Sequence, residues 1–187
     1  GQFVWASRPA QGALLAAARR LEVPAMLTAE GLVDAQEYGQ DGQNETEQPV
    51  HVSEINLAAA AWLAGWSDIL EQGAVLLIDY GCSRQEYYAP QRHQGTLRCH
   101  YRHHVHDDPL WWPGLNDITA HVDFSAMADA AFEAGLEVLG YTNQGRFLLN
   151  CGIMAELARI PNDGGKAYLS AARAVEKLIL PHEMGEL

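Results

Sequence analysis

Residues 95–124 carry the densest set of side chains that could do chemistry, with five histidines, four aspartates and two tryptophans. The segment is too polar for a core and too aromatic for a simple linker, and long irregular segments inside compact domains usually carry function. Imidazole and carboxylate groups can exchange protons, bind a cationic substrate or hold a metal ion. Trp111 and Trp112 either form an exposed patch for a partner or pack over a sheet, and packing is the favoured interpretation.

A zinc or iron site is one alternative for these side chains, because histidine and aspartate are ligands of both metals. The spacing argues against such a site, since HExxH is absent and the HxH pair has no defined third ligand. We therefore expect no metal here. A metal-dependent hydrolase built on residues 100–123 is kept as an alternative function, and otherwise most of the imidazoles are surface groups or partners of the aspartates.

Motifs of several other site classes are missing from the sequence. There is no GxSxG for a serine nucleophile, and neither GxGxxG nor GxxxxGK[ST] for nucleotide phosphates. Cys82 follows Gly81 where a thiolate could be activated, but a buried and inert cysteine is the simpler interpretation. The three cysteines have no CxxC spacing, which favours a reducing compartment.

The charge of the chain restricts its partners. With 24 acidic and 12 basic residues the formal net charge is −12, so the electrostatic field repels nucleic acid and anionic lipid. No apolar run reaches the roughly 20 residues that span a bilayer. We expect no nucleic-acid partner and no membrane insertion, whereas a cationic protein side chain would be attracted.

An α/β pattern positions these residues. A helix is predicted over residues 56–70 with Asn56 as its cap, and residues 74–78 then form a continuous aliphatic run, which is typical of a parallel strand buried on both faces. Ligands of open α/β sheets lie beyond the carboxyl ends of the strands. Asp79 and Tyr80 stand at that end and are candidates for function. In the alternative interpretation Asp79 caps the next segment and Tyr80 packs at the sheet edge.

The remaining elements extend the same pattern without an internal repeat or a domain boundary, so a single domain is expected. Asp123 is either the N-cap of the helix that follows it, with Gly135 behind that helix, or a functional carboxylate. The other predicted elements are a helix over residues 13–21, an exposed loop over 38–49, an antiparallel edge pair formed by strands 136–141 and 146–151 around an Asn-Gln-Gly turn, and helices over 153–159 and 166–178.

Five segments occur in the same order as motifs from the C-terminal part of the MidA-like S-adenosylmethionine-dependent methyltransferases. They are GAVLLIDYG (73–81), GTLRCHYRHH (95–104), DDPL with PGLNDITAHVDFSAMA (107–128), GYTNQGRFLLNCGI (140–153) and LILPHEMGEL (178–187). The chain resembles this family, which includes a mitochondrial arginine methyltransferase that serves assembly of respiratory complex I. The resemblance implies a class I, Rossmann-like, seven-stranded methyltransferase fold in which residues 73–81 form a central parallel strand.

The resemblance also implies that residues 1–187 are a partial domain, the substrate-side portion, and that S-adenosylmethionine is bound mainly by an N-terminal portion absent from this chain. The parent would methylate a protein arginine in the bacterial cytoplasm or the mitochondrial matrix, and this portion alone would be inactive. The alternative is a non-catalytic assembly or binding factor that keeps the fold. The catalytic residues implied are Asp117 and His104. The substrate-binding residues implied are Asp79, Tyr80, His121 and Asp123. The resemblance implies no cofactor-binding residue in this chain and does not indicate an oligomeric state.

Overall fold

The computed structural model of the chain describes residues 4–6, 8–21, 51–162 and 164–186. The loop predicted over residues 38–49 lies outside the described residues. The chain divides into two compact units, one formed by residues 1–71 and 81–136 and the other by residues 72–80 and 137–187. We call them unit 1 and unit 2.

The described residues form short strands and mostly short helices, with the last four strands consecutive in the chain and the last four helices after them. The helices are α1 (Gly12–Arg20), α2 (Leu57–Ala64), α3 (Arg84–Tyr87), α4 (Phe124–Glu133), α5 (Gln144–Asn150), α6 (Ile153–Ala158) and α7 (Lys166–Ile179). The strands are β1 (Gly81–Cys82), β2 (Arg98–Tyr101), β3 (His104–His106), β4 (Asp117–Thr119) and β5 (Val122–Asp123). Shorter helical turns are Gly65–Asp68, Pro90–Arg92 and Pro181–Gly185.

Helix starts with a local capping signal were predicted correctly. Asn56 caps α2 with its side-chain oxygen, which accepts a hydrogen bond from the Ala59 amide at 3.0 Å. Asp123 caps α4 in the same way through the Ala126 amide at 3.0 Å. These side chains satisfy amide groups that the first helical turn leaves without a partner. The helices predicted over 13–21, 153–159 and 166–178 are also confirmed, with ends that shift by one residue.

The antiparallel pair predicted over residues 136–141 and 146–151 is wrong. Residues 144–150 form helix α5, and residues 136–143 form no strand. The Asn143 side chain accepts a hydrogen bond from the Arg146 amide at 3.0 Å, so it starts a helix where a hairpin turn was predicted. Asparagine is favoured both in tight turns and at N-caps, and a short apolar run after it does not separate the two.

The central parallel strand predicted over residues 73–81 is present only at its carboxyl end. Gly81 and Cys82 of β1 pair in parallel with Val122 and Asp123 of β5, and residues 74–78 form no strand. Leu76 and Ile78 are 62% and 59% exposed, so the predicted burial of both faces is also wrong. An aliphatic run becomes a central strand only where other strands pair with both edges, and no described residue pairs with this one.

Unit 1 combines this parallel pair with a three-stranded antiparallel sheet in the order β3-β2-β4. The parallel pair is tight, because a Cβ atom on Gly81 would lie 2.3 Å from the carbonyl oxygen of Val122. Cys82, Tyr87 and Tyr88 form a buried cluster beside it. A mixed α/β class is therefore confirmed, and the seven-stranded arrangement stays a prediction.

Unit 2 is built from helices α5 to α7 and the turn after α7. The Gln144 side-chain amide donates to the carbonyl oxygens of Leu178 and Met184, at 3.0 and 3.1 Å. The backbone at Gly145 and at Gly185 lies close to the end of α7, because neither residue has a side chain. A Cβ atom on either glycine would lie within 2.6 Å of the Ile179 carbonyl oxygen. No helix among the described residues is long and apolar enough to cross a membrane.

Candidate functional site

The three-stranded sheet of unit 1 sorts the candidate residues onto two faces. Directly opposed residues of neighbouring strands share a face, and successive residues alternate between faces. His100 is opposite both Val105 and Asp117, whereas Tyr101 is opposite His104. One face, which we call the polar face, carries Arg98, His100, Val105, Asp117 and Thr119. The other, which we call the aromatic face, carries Cys99, Tyr101, His104, His106 and Ile118.

This arrangement separates the two residues that were predicted to be catalytic. Asp117 lies on the polar face and His104 on the aromatic face, and both are exposed. Two side chains on opposite faces of one sheet do not reach the same substrate atom. Asp117 and His104 therefore do not act together, and a catalytic role for either one stays a prediction.

His121 lies just beyond β4, against the guanidinium group of Arg92. The Nη1 atom of Arg92 is 3.3 Å from His121 Nδ1, and its Nη2 atom donates to Glu86 Oε1 at 2.8 Å. Burial lowers the pKa of the His121 imidazole, and the positive charges of Arg92 and Arg98 lower it further, against opposing effects of Glu54 and Glu86. The ring is therefore neutral near pH 7.

The tautomer of His121 follows from the chemistry of its partner. A guanidinium group has only donors, so the Nδ1 atom facing Arg92 is the acceptor and the proton lies on Nε2. In this state His121 offers an N–H donor to a ligand. It is a poor general base, because a second proton would have to enter at Nδ1 and displace Arg92.

Glu54 forms the centre of a polar cluster that the sequence did not predict. Its carboxylate accepts hydrogen bonds from the Thr96 amide at 3.1 and 3.0 Å, the Leu97 amide at 3.1 Å, the Thr96 hydroxyl at 3.1 Å and the Tyr87 hydroxyl at 3.3 Å. The Tyr88 hydroxyl donates to the Glu54 carbonyl oxygen at 3.1 Å. We call these five residues the Glu54 cluster. Burial raises the pKa of Tyr87 to about 12 and raises that of Tyr88 as well, so both remain donors.

The Glu54 cluster connects directly to His121. The His121 amide donates to the Thr96 hydroxyl oxygen at 3.0 Å, which fixes its backbone beside the polar face. Gly95 permits this approach, because its φ is +76° and a Cβ atom there would lie 2.2 Å from Glu54 Oε1. The only signal in the sequence is the Gly-Thr pair that opens the segment at 95–104, since Glu54 stands 42 residues before Thr96.

Asp123 has a structural role in this site. Besides capping α4, its carboxylate lies 3.6 Å from Arg84 Nε, and its side chain is only 9% exposed. Arg84 also donates to Asp129 at 2.5 Å. The capping interpretation of Asp123 is confirmed, and its predicted contact with substrate stays a prediction.

Asp79 and Tyr80 belong to unit 2, whereas the other four predicted site residues belong to unit 1. Both are exposed, and the Asp79 carboxylate accepts a hydrogen bond from the Tyr80 amide at 2.8 Å. An N-cap side chain accepts from an amide two or three residues later, so this bond to the next residue does not make Asp79 a helix cap. Their substrate-binding role remains a prediction.

The described part of the chain shows no cluster of metal ligands, and two of its helix N-termini are blocked by its own side chains. No three His, Cys, Asp or Glu side chains described there lie close enough to hold a metal ion. At the two helices that follow β1 and β5, the Arg84 amide is bound by the Ser125 hydroxyl and the Ala126 amide by Asp123. These two amides are therefore not available to a cofactor.

The cysteines of unit 1 are not activated. Burial raises the pKa of the Cys82 thiol, and Glu86 raises it further. Cys99 is fully buried, and burial together with Asp108 and Asp107 raises the pKa of its thiol as well. Both groups are therefore protonated thiols near neutral pH.

The chain is similar to known methyltransferases. Residues 16–142 match a family described as "Putative S-adenosyl-L-methionine-dependent methyltransferase". The chain is 36% identical over 120 residues to protein arginine methyltransferase NDUFAF7, mitochondrial, of Rattus norvegicus, and 33% identical over 119 residues to the protein of that name in Danio rerio. Each match covers 61% of this chain and 24% or 25% of the relative, so the chain spans about a quarter of these proteins.

Two solved structures from Burkholderia thailandensis match the chain over its full length at 45% identity. One is described as a "likely methyl transferase" bound to S-adenosyl-homocysteine, with a TM-score of 0.80, and this chain covers 42% of it. The other is a native structure of an uncharacterized protein from the same superfamily as the first. Its TM-score is 0.79, and this chain covers 44% of it.

Proposed function

The chain belongs to this S-adenosyl-L-methionine-dependent methyltransferase family, and we propose that it forms the substrate-side portion of a protein arginine methyltransferase. The observation that carries the proposal is the full-length match to a structure that holds S-adenosyl-homocysteine, the molecule that S-adenosylmethionine becomes when it loses its methyl group. The relatives named as arginine methyltransferases support arginine as the target. A net charge of −12 supports a cationic substrate.

The cofactor belongs, in this proposal, to a part of the parent protein that this chain does not contain. The N-terminal amides of α3 and α4 are bound by the protein's own side chains, and the relatives are more than twice as long as the region matched. We therefore expect the chain alone to be inactive. A link to respiratory complex assembly, in the bacterial cytoplasm or the mitochondrial matrix, is part of the proposal; it rests on the sequence resemblance, and the relatives' names add only the word mitochondrial.

Methyl transfer to arginine is an in-line displacement. A guanidinium nitrogen attacks the methyl carbon, the bond between methyl carbon and sulfur breaks, and the nitrogen gives up a proton. S-adenosylmethionine supplies the electrophilic methyl group. Most of the acceleration in such a reaction comes from holding the nucleophile in line with the methyl group. In this proposal the substrate-side portion, which this chain forms, positions the nucleophile.

The polar face contains groups suited to that task. The Asp117 carboxylate can hold the guanidinium and accept its proton, because it is exposed and has no hydrogen-bond partner among the described residues. His121 would donate from Nε2 to a carbonyl oxygen of the substrate backbone, since a guanidinium offers no acceptor. His104 lies on the other face of the sheet, so the proposed chemistry rests on Asp117.

A transfer assay on the full-length protein tests the proposal. The protein would be incubated with methyl-tritiated S-adenosylmethionine and an arginine-containing peptide, and the peptide hydrolysed for amino-acid analysis. We expect label in methylarginine, and Asp117→Asn should lower kcat by about 100-fold or more. Asp68→Asn, the same change on an exposed turn of unit 1, should leave kcat unchanged.

Two results would contradict the proposal. Label in lysine or another residue would exclude arginine as the target. Failure of the full-length protein to bind S-adenosylmethionine in a calorimetric titration would instead favour the non-catalytic assembly factor.

A further inference from the structure

An exposed group of aromatic rings covers the aromatic face of the sheet. The Trp111 and Trp112 rings stack with centroids 4.7 Å apart and planes 15° apart, and the Tyr101 ring meets both edge-on at 6.2 and 4.9 Å. Trp111 and Trp112 are nevertheless 42% and 49% exposed. We call these three residues the aromatic surface. The favoured interpretation, packing over the sheet, agrees with the ring contacts to Tyr101 and His106, and nearly half of each tryptophan is still exposed.

The loop at 107–116 holds these rings in place. The Asn116 side-chain amide donates to the carbonyl oxygen of Trp111, and its oxygen lies 3.1 Å from His106 Nε2. Asp108 accepts a hydrogen bond from the Leu110 amide at 2.9 Å. Trp112 has a φ of +49°, a left-handed conformation that a bulky residue adopts only when its surroundings enforce it. The exposed rings are thus fixed in position before any partner arrives.

The aromatic surface already holds one guanidinium group of the chain itself. The Arg102 side chain lies over the Tyr101 ring, with its central carbon 5.5 Å from the ring centroid. Tryptophan attracts a cation over its face more strongly than tyrosine does. The face of the stacked pair that points away from the sheet therefore offers a second and better position for the same chemical group.

The charges around the aromatic surface favour a cation. Asp107 and Asp108 open the loop that carries the two tryptophans, and both side chains are exposed. The Asp107 carboxylate forms an ion pair with Arg98, with Oδ1 3.4 Å from Nη1, but its side chain is still 72% exposed. Anionic lipid would meet these carboxylates and a chain of net charge −12, so a membrane is disfavoured.

We propose that the aromatic surface docks an extended segment of a protein partner by stacking an arginine side chain on the exposed tryptophan face, with Asp107 or Asp108 balancing its charge. A planar guanidinium fits a flat indole better than the compact ammonium group of lysine does. The docking surface lies on the sheet face opposite Asp117. It therefore adds a binding site to the proposed function and does not depend on methyl transfer for its existence.

Calorimetric titration of the full-length protein with an acetylated and amidated Gly-Arg-Gly-Arg-Gly peptide tests the inference. The control peptide replaces both arginines with citrulline, which keeps the shape and removes the charge. Trp112→Gly removes one ring and suits the left-handed backbone, so it should fold normally. We expect Trp112→Gly to weaken peptide binding by about tenfold, as the loss of a cation–π contact implies.

Trp62→Ala is the matched control, because Trp62 is 52% exposed on helix α2 and its ring contacts Trp66, which is not part of the aromatic surface. It should leave peptide binding unchanged. The inference is overturned if the citrulline peptide binds equally well, if Trp112→Gly binds like the wild type because other residues of the protein cover the rings, or if Trp112→Gly instead converts a dimer to a monomer. Lost methyl transfer with intact docking would overturn only the proposed function, and the reverse result only this inference.

Discussion

The Glu54 cluster and the aromatic surface stand at opposite ends of strand β2 and are built in opposite ways. At the Thr96 end, polar groups turn inward and each finds a partner within the chain. At the Tyr101 end, large apolar rings turn outward and are fixed in position by the loop beneath them. A partly buried carboxylate that accepts several hydrogen bonds stabilises a fold, whereas exposed apolar rings in a fixed arrangement are unfavourable in water and suit binding. The difference assigns stability to one end and recognition to the other.

Removal of the Glu54 carboxylate should have the largest effect on stability. Glu54→Ala leaves the Thr96 and Leu97 amides and two hydroxyl groups without their acceptor, so we expect a loss of about 2–4 kcal/mol in the free energy of unfolding. Urea unfolding measures it. Glu133→Gln is the control, because the pair of Glu133 with Arg20 is exposed and should contribute at most about 1 kcal/mol. Equal losses in the two variants would show that the Glu54 cluster does not stabilise the fold.

A pair of glycine variants separates backbone conformation from contact with the carboxylate. Gly95 and Gly114 both have positive φ, but a Cβ atom on Gly95 would overlap Glu54 Oε1, whereas Gly114 has open space around it. Gly114→Ala should cost about 1–2 kcal/mol for the left-handed conformation alone. Gly95→Ala should cost clearly more in the same unfolding experiment. Equal costs would mean that the carboxylate moves aside freely.

The His121 imidazole should titrate below its ordinary pKa of 6.5. Nuclear magnetic resonance of the ring protons gives the value, and Arg92→Gln should raise it, because the nearest positive charge is removed while Glu54, Glu86 and Arg98 remain. A lowered pKa means that the unfolded chain binds the proton more readily. His121 thus stabilises the fold above pH 6.5, and this contribution is lost as the pH falls through the lower pKa of the folded state. An unchanged pKa in Arg92→Gln would contradict the assigned contact.

Trp112→Gly should have the smallest effect on stability. The ring is half exposed and the backbone at φ +49° is one that glycine adopts without strain, so the free energy of unfolding should change by less than about 1 kcal/mol. The same urea experiment measures this. A loss as large as that of Glu54→Ala would place the ring in the core and remove the contrast between the two ends of β2.

The sequence predicted those elements whose signals are local. Asn56 and Asp123 lie next to the amides that they cap, so their residue types were sufficient to locate α2 and α4. At Asn143 the same kind of cap was interpreted as a turn, because the apolar run after it fits a strand as well as a helix. The aliphatic run at 74–78 indicates a buried strand, but burial depends on neighbours that the run itself does not encode.

The candidate site was predicted in part for a similar reason. The histidine- and aspartate-rich segment does form a structured surface, and the pairing register then puts Asp117 and His104 on opposite faces. Register depends on which residues oppose each other, and composition does not reveal this. The sequence did not indicate a role for Glu54, because its hydrogen-bond partners lie 33 to 43 residues away and no spacing rule connects residues at that separation.

A crystal structure of the full-length protein with S-adenosyl-homocysteine and an arginine peptide would test the central claim most directly. We predict that the arginine side chain lies against Asp117 on the polar face, with the His121 Nε2 atom within hydrogen-bonding distance of the peptide backbone. A peptide bound entirely by residues outside this chain would contradict the assignment of these 187 residues to the substrate side.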